Sequence, residues 1–275
     1  MRASNNSSTN QITGYGQLIS LHDDKWLERQ RVAGKVAAGA IDLLVGLVKD
    51  KADLSLIEMN ALAEDYITSN GCIPTFKGYS GHSVAPFPTG CCISVNKALV
   101  HGIPTDYKLQ EGDLVSFDLG TTFEGAIADT ATTVIYGKGS EEHQRLIEDT
   151  KIALDLAIQS ISVGKRIGVI GNAIYKYGSS KGYSVVDKYG GHGITYNRAH
   201  YFPFVSNKAN PSDSVVIHPG MVIAIEPLFV LGSSNNTAVS EDGWTVMCEE
   251  ICAHFEHSLY IHEDKVEVIT ARQGE

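Results

Sequence analysis

Asp118 and Asp129 are the first residues whose types and spacing suggest chemistry, because each lies in an apolar, β-branched segment typical of a strand. The turn signal between the two segments lies around Phe123-Glu124-Gly125. If Phe123 and Glu124 form a two-residue loop, Asp118 lies directly opposite Asp129, with Cβ atoms about 5 Å apart. Two carboxylates at that separation repel, so one must hold a proton or a cation must lie between them.

Two other arrangements of this hairpin remain open from the residues alone. A β-bulge at Gly125 shifts the register by one residue and turns Asp129 to the other face, unless a second irregularity restores it. Alternatively, each aspartate separately faces water on an exposed face of the sheet. The remaining acidic and imidazole groups of the chain must therefore decide between these interpretations.

Three further residues combine an unusual local setting with a side chain that binds metals or moves protons. His192 lies among glycines, where backbone can approach a ligand closely, although a plain turn also fits. Glu226 ends the apolar run MVIAIE, where it either needs a partner or reaches water at the strand end. Alternation in AHFEHSLYI places Glu256 on one face with His254 and Ser258, which also fits a polar outer face.

Taken together, these residues predict a centre of two divalent cations. Four carboxylates cannot converge without compensating positive charge, which two such ions supply. An oxygen-rich set with one imidazole suits Mn²⁺, Fe²⁺ or Co²⁺ better than a thiolate zinc site would. Two ions about 3.5–4 Å apart can bridge a water and lower its pKa enough to form hydroxide near neutral pH. The predicted ligands are Asp118, Asp129, His192, Glu226 and Glu256.

The elements that must position these residues alternate along the chain. Apolar stripes predict helices over 23–50 and 55–69, and strands follow a Gly- and Pro-rich loop over 73–90. Helices resume at 140–160 and 167–177, before the apolar strands in MVIAIEPLFV and SLYIHEDKVEVIT. Helices followed by strands, twice over, predict an α+β fold whose two halves share an architecture.

The composition is that of a globular chain and argues against several classes of partner. Of 275 residues, 43% are hydrophobic and 20% charged, the net charge is −10, and there is no basic block. We therefore expect no direct nucleic-acid contact and no membrane partner. Polar residues 1–15 predict a disordered tail, followed by a single catalytic domain over 16–275. Five cysteines, an odd number, favour reduced thiols in the cytoplasm over a disulfide framework.

Eight ordered segments of the sequence resemble the pita-bread metallopeptidases, and most closely the type I methionine aminopeptidases. The resemblance runs from about Leu21 to Ala271. It implies a pita-bread fold of two pseudo-symmetric halves, with an antiparallel sheet and helices on the outside. It also implies a metal-dependent hydrolase that removes the initiator methionine from nascent proteins, in which a metal-bridging hydroxide attacks the first peptide bond. The segments are RVAGKVAAGAIDLL, CISVNKALVHGIPTD, EGDLVSFDLG, ADTATT, GYSVVDKYGGHGI, GMVIAIEPLFV, DGWTV and FEHSLYI.

The resemblance implies a role for each residue of the predicted centre. Asp118 is expected to chelate one ion, Asp129 and Glu256 to bridge both, and His192 with Glu226 to complete the other. Glu226 is also expected to handle the proton of the attacking water. The implied cofactors are two divalent ions drawn from cobalt, manganese, iron(II), zinc and nickel.

The same resemblance implies which residues hold the substrate. His101, in VHGIPTD, matches a histidine beside the scissile bond, and His200 matches a second catalytic, substrate-facing histidine. Near His200 the chain departs from the family pattern: Ala199 precedes it, and Tyr201-Phe202 replace acidic residues. The loop after Tyr79 is also longer than in the family. The residues expected to line the pocket for the methionine side chain are Tyr79, Phe87, Cys92 and Trp244.

The implied partners are the N-termini of nascent polypeptides, with the ribosome as a place of encounter, and the implied state is a monomer. Two alternatives remain open. One is another pita-bread peptidase, an X-Pro aminopeptidase or prolidase, which usually carries an added N-terminal domain that this sequence does not show. The other is a non-catalytic peptide-binding relative. Such relatives generally lose metal ligands, whereas all five expected ligands are present here.

Overall fold

The computed structural model describes residues 10–14, 16–81 and 85–273. Two pairs of helices are each followed by strands, as the sequence predicts. The helices are α1 (Asp24–Lys49), α2 (Leu56–Ser69), α3 (Glu141–Ser160) and α4 (Gly168–Ser180). The strands before α3 are β1 (Asn10–Gly14), β2 (Gln17–Leu21), β3 (Ile73–Pro74), β4 (Cys91–Val95), β5 (Ala98–Val100), β6 (Leu114–Phe123) and β7 (Ala126–Ile135). The strands after α4 are β8 (Ser184–Val185), β9 (Gly190–Thr195), β10 (Arg198–Ser206), β11 (Val222–Ile225), β12 (Leu228–Val230), β13 (Thr237–Val239), β14 (Val246–Cys248), β15 (Cys252–His254), β16 (Glu256–Ile261) and β17 (Val266–Val268).

Polar caps set the starts of the first two helices where the sequence predicts them. The Asp23 side chain accepts a hydrogen bond from the Trp26 N–H at the start of α1. Ser55 and Glu58 form a reciprocal capping box at the start of α2. Each cap satisfies backbone donors that have no partner within the helix.

Helix α4 continues to Ser180, beyond its predicted end at Tyr177. Gly178 lies inside α4, although glycine disfavours helix formation. A Cβ at this position would lie 2.6 Å from the Phe229 ring, so the glycine allows close packing. A packing requirement thus explains a residue that local helix propensity disfavours.

The β6–β7 hairpin turns one residue later than predicted. Phe123 pairs with Ala126, so Glu124 and Gly125 form the two-residue loop. Their φ angles of 47° and 82° are both positive. Positive φ at both central positions is typical of a type I′ turn, whose twist matches that of the flanking strands.

The later turn corrects the predicted pairing of the two aspartates. Asp118 lies opposite Ala131, and Asp129 lies opposite Gly120, so the aspartates are diagonal rather than directly opposite neighbours. A shift of two residues keeps every side chain on its face, because strand faces alternate with a period of two. Both carboxylates therefore remain on one face of the hairpin.

Antiparallel pairing joins the two halves into a nine-stranded sheet in the order β10-β9-β11-β16-β7-β6-β3, with β4 on β6 and β17 on β16. The first helix pair packs with Phe117 and Leu119 of β6. The second pair packs with Ile223 of β11 and Leu259 of β16. Because alternate residues point to opposite faces, Asp118 points away from the face that packs on the first helix pair.

The predicted tail includes residues for which the structure gives a strand. Asn10–Gly14 forms β1 and pairs antiparallel with β2. Residues 1–9 and 15 of the predicted tail lie outside the described residues, and the single-domain boundary stays a prediction.

Two other expectations can be compared with the structure. All five cysteines are buried free thiols, as their odd number predicted. Within the described parts of the chain, no helix is both long enough and apolar enough to cross a membrane.

Candidate metal centre

A cavity of about 1140 Å³ opens above the central strands of the sheet. Its lining divides into two parts, a floor of carboxylates and histidines and a wall of aromatic residues. The eleven residues predicted to act in the site all line this one cavity: Tyr79, Phe87, Cys92, His101, Asp118, Asp129, His192, His200, Glu226, Trp244 and Glu256.

The five predicted ligands converge on the floor from five different parts of the sheet. Asp118 and Asp129 come from β6 and β7, His192 from β9, Glu226 from directly after β11, and Glu256 from the start of β16. His192 Nε2 lies 3.8 Å from Asp129 Oδ2, 4.0 Å from Glu226 Oε1 and 3.9 Å from Glu256 Oε1. These nearly equal distances place one imidazole nitrogen and three carboxylates around a shared volume.

Three overlapping groups of ligand atoms among the described residues could each hold a metal ion, with all atoms of a group within 4.8 Å. Asp118, Asp129 and Glu256 form one group, and His192, Glu226 and Glu256 form a second. The third joins Asp129 and His192 with His200. Glu256 belongs to the first two groups. A carboxylate shared in this way has the two oxygens needed to serve two neighbouring cations.

Glycines on either side of His192 allow β9 to lie tightly between its neighbours. A Cβ at Gly191 would lie 2.1 Å from the Ala224 carbonyl oxygen, and one at Gly193 would lie 2.3 Å from that of Phe202. Only glycine permits such backbone approach on both sides of the histidine. The Gly-Gly-His-Gly pattern therefore fixes His192 on the floor, and the plain-turn interpretation is wrong.

Burial makes the floor unfavourable for bare negative charge. It raises the pKa of Asp129 to about 7 and, with the added repulsion of Asp129, that of Glu226 to about 8. Burial and neighbouring carboxylates also raise the pKa values of Asp118 and Glu256 well above their ordinary range. Among the described residues, Asp118 Oδ1, Asp129 Oδ1 and Glu256 Oε1 are buried without a hydrogen-bond partner.

These features fit divalent cations. Unpaired buried carboxylate oxygens are costly unless a charge compensates them, and oxygen donors with an imidazole are the ligands that hard and borderline divalent ions prefer. One protein cation already lies nearby: the buried Arg272 donates from Nη1 to Thr130 Oγ1 at 2.9 Å and lowers the pKa of Glu256 in part. A single guanidinium cannot balance four carboxylates.

His101 and His200 lie between the floor and the aromatic wall. His101 follows β5 with a φ of 58°, a left-handed conformation that is uncommon outside glycine and found often at functional sites. The His200 ring lies 4.4 Å from the His192 ring and 5.0 Å from the Tyr79 ring. Burial lowers the pKa of His101 and of His200 to about 4, so both imidazoles are neutral near pH 7.

His200 is predicted to contact the substrate, and its ring also lies close to two of the predicted metal ligands. One of its ring nitrogens is within 4.8 Å of ligand atoms of Asp129 and His192. The accessible surface of His200 faces the cavity, whose walls still remove enough water to keep the imidazole neutral. Neutral imidazoles at these positions can donate one N–H each to an oxygen bound above the floor.

The aromatic wall forms one packed cluster of the four predicted pocket residues together with Phe76 and Ile103. The Trp244 ring lies edge-on to Phe87 at 5.3 Å, and its Nε1–H donates to the Ala85 carbonyl at 3.0 Å. The cluster presents apolar surface to the cavity, while Lys188 and Arg198 line the same cavity outside the cluster. The wall therefore suits an apolar, polarisable side chain.

Several residues in or beside the cavity received no role from the sequence, among them Phe76, His254 and Arg272. Phe76 lies in the Gly- and Pro-rich loop, where no periodicity marks a buried aromatic. His254 was placed on a face with Glu256, which was the available signal, and its Nε2 lies 3.5 Å from Glu226 Oε2. Arg272 follows the last predicted ligand, Glu256, and only the folded structure brings it to Thr130, which lies next to Asp129 in β7.

Residues 28–263 match the model of metallopeptidase family M24. The chain is 36% identical over 256 residues to a methionine aminopeptidase of Mycoplasma capricolum subsp. capricolum, covering 92% of this chain and 98% of that protein. A crystal structure of methionine aminopeptidase from Rickettsia prowazekii is similar with a TM-score of 0.86 at 33% identity, covering 92% of this chain and all of that one. A prolidase from Pyrococcus furiosus shares the fold, with a TM-score of 0.68 at 20% identity, and 66% of its length is covered.

Proposed function

The chain belongs to metallopeptidase family M24 and, within it, to the methionine aminopeptidases, and on this premise we propose that it removes the N-terminal methionine of nascent polypeptides. The expected pita-bread fold is confirmed by the similar solved structures. The observation that carries the proposal is the junction inside one cavity of a carboxylate floor and an apolar aromatic wall, with two neutral histidines between them.

We propose two divalent ions as the cofactor of this metallopeptidase. Two of the ligand groups share Glu256, and four carboxylates balance the charge of two such ions. The residues that would hold these ions are Asp118, Asp129, His192, Glu226 and Glu256. When bound, such ions lower the pKa of a coordinated water and stabilise negative charge on the reacting oxygen.

The protein residues orient the peptide and move the proton. The methionine side chain packs against Tyr79, Phe87, Cys92 and Trp244, which places the first peptide bond over the floor. His101 and His200 donate N–H groups to the peptide carbonyl, and because they are neutral they add no positive charge that would repel the cations. Glu226 accepts the proton of the attacking water on a carboxylate oxygen and passes it to the leaving amine.

The aromatic wall is the feature that separates methionine release from X-Pro cleavage. Similarity to the prolidase at 20% identity concerns the fold alone. A side chain without branches or charge makes the fullest contact with a wall of rings and one thiol. We further propose that the enzyme works as a monomer in the cytoplasm, where its five free thiols stay reduced, and meets nascent chains at the ribosome.

A release assay on two peptide classes tests the function. Metal-free protein is titrated with Mn²⁺ or Co²⁺ and supplied with Met-Ala-Ser or an Ala-Pro peptide. We expect release of methionine that requires the added ion and disappears with chelator, and little cleavage of the Ala-Pro peptide. Preferential cleavage of the Ala-Pro peptide would assign the chain to X-Pro chemistry, and cleavage of neither would favour a non-catalytic relative.

A further inference from the structure

The two carboxylate oxygens of Glu226 face different neighbours. Oε1 lies 4.0 Å from His192 Nε2, on the side of the other ligands. Oε2 lies 3.5 Å from His254 Nε2, on the opposite side. One oxygen is thus directed toward the ligand group and the other toward a histidine that has received no role.

His254 is buried and directed into the site. Only 2% of its surface is exposed, and neither ring nitrogen has a hydrogen-bond partner among the described residues. It belongs to none of the three groups of ligand atoms that could hold a metal within those residues. A buried imidazole of this kind needs a partner, and Glu226 is the group within reach.

The backbone around His254 is held firmly against the floor. The His254 N–H donates to Thr133 Oγ1 at 2.9 Å, and the same hydroxyl donates to the His254 carbonyl at 2.8 Å. His254 pairs with Leu228 across β15 and β12, and Leu228 follows Glu226 by two residues. Strand pairing therefore fixes the separation of His254 from Glu226.

We propose that His254 is a positioning residue for Glu226, whose Oε2 it holds through a hydrogen bond donated by Nε2–H. With the proton on Nε2, the donor faces a carboxylate and only the Nδ1 lone pair lacks a partner. The opposite tautomer would direct a lone pair at a carboxylate and bury an unpaired N–H, which is the costlier arrangement. Hydrogen bonds of catalytic groups are often long before substrate binds and shorten in the complex, consistent with the 3.5 Å separation.

This role rests on the proposed function, because it concerns the residue that moves the proton there. A carboxylate held at one oxygen cannot rotate, so its other oxygen keeps its direction toward the ligand group and the attacking water. Loss of the hydrogen bond lets Glu226 adopt unproductive orientations and slows the chemical step. Substrate binding, which depends on the aromatic wall, is unaffected.

Three variants separate positioning from a purely structural role. His254→Leu removes the donor, and we expect kcat on Met-Ala-Ser to fall by about 10–100-fold with KM and Mn²⁺ stoichiometry unchanged. His254→Gln restores an amide N–H at similar reach, and we expect it to recover most of the lost kcat. His257→Gln is the matched control: His257 is also buried, but its Nδ1 lies 2.9 Å from Thr270 Oγ1, and we expect wild-type kcat.

A second measurement does not depend on activity. Nitrogen-15 spectra of the Zn²⁺-loaded protein, with the His254 signals assigned by their loss in His254→Gln, are expected to show the proton on Nε2. A proton on Nδ1, wild-type kcat in His254→Leu, equal loss in the Leu and Gln variants, or loss of bound Mn²⁺ would each overturn the role. If wild-type protein released no methionine, the proposed function would fail, while the tautomer would still report on the contact.

Discussion

The floor and the wall of the cavity are built in different ways. Floor residues lie in or directly after paired strands, and backbone bonds hold them: the Ser258 hydroxyl accepts from the Asp129 N–H at 2.8 Å and donates to its carbonyl at 2.9 Å. Phe76, Tyr79 and Trp244 of the wall lie instead in loops. Rigid strands suit ligands that must keep their distances, whereas loops can change to alter which side chain is accepted. We therefore expect floor substitutions to abolish the reaction and wall substitutions to change its selectivity.

The largest expected effect comes from Asp118 and a matched aspartate outside the site. Asp118 and Asp149 are each 8% exposed, but Asp149 accepts hydrogen bonds from Tyr177 and Tyr183. We expect Asp118→Asn to abolish turnover and lower Mn²⁺ stoichiometry. It should nevertheless raise the Tm of the metal-free protein, because a buried carboxyl that loses ionisation on folding is replaced by an amide that does not ionise.

Asp149→Asn should show the reverse behaviour. Burial opposes ionisation of Asp149, but hydrogen bonds from Tyr177 and Tyr183, together with the ammonium of Lys181 at 3.2 Å, outweigh it and lower the pKa of this carboxyl. Weakening those charged hydrogen bonds should cost about 1.5–3 kcal/mol of stability while kcat and bound metal stay unchanged. Kinetics, metal analysis and thermal unfolding check both variants. Full activity of metal-free wild-type protein would show that the floor carboxylates do not act by holding metal ions.

Substitution of His101 tests whether a residue between the floor and the wall acts on the substrate without holding metal. It donates to the peptide carbonyl in the proposed mechanism and is not a metal ligand. His101→Ala should therefore lower kcat by about 10²–10³-fold and leave Mn²⁺ stoichiometry unchanged. Steady-state kinetics and calorimetric titration measure the two quantities, and loss of bound metal would show that His101 belongs to the floor.

Substitutions in the wall should change kcat/KM by less than substitutions in the floor. One methylene in an apolar pocket changes selectivity by about 1–3 kcal/mol, so norleucine should be accepted and Leu, Ala or Lys should be poor first residues. Trp244→Ala should narrow the preference for Met over Leu with little change in metal content. A panel of Xaa-Ala-Ser peptides compared by kcat/KM measures this. Equal cleavage of Lys and Met peptides by the wild type would remove the selective role of the wall.

The smallest expected effect is the pH dependence of the metal-free fold. The folded-state pKa values of Asp129 and Glu226, about 7 and about 8, exceed their ordinary values of 3.8 and 4.5. These two carboxyls make the native state bind more protons than the unfolded state, so their contribution to the unfolding free energy falls as pH rises toward their folded-state pKa values. His101 and His200, with pKa values lowered to about 4, act in the opposite sense only below their ordinary pKa of 6.5. Thermal unfolding of metal-free protein should therefore show a lower Tm at pH 8 than at pH 7, and Mn²⁺ should remove most of the difference at pH 8. A Tm that rises over this interval would show that the floor carries no excess negative charge.

Local patterns in the sequence determined much of this molecule. Period-two alternation placed Asp118 and Asp129 on one face, and that conclusion survived a two-residue error in register because strand faces repeat with the same period. Apolar stripes and caps fixed the helices to within a few residues, with α4 as the largest departure at its end. The five proposed ligands stand out in the sequence as well, because carboxylates in apolar strands and a histidine among glycines break the ordinary rules of composition.

Only the tertiary structure decided which distant residues meet. The hairpin turns at Glu124-Gly125 and not at the predicted Phe123-Glu124. Both turn residues have positive φ, because that conformation matches the twist of the two paired strands. Phe76 joins the wall, His254 reaches Glu226 and Arg272 reaches Thr130 through packing between segments that are far apart in the chain. No local period or propensity encodes such contacts, because they depend on how strands and loops from both halves pack around one cavity.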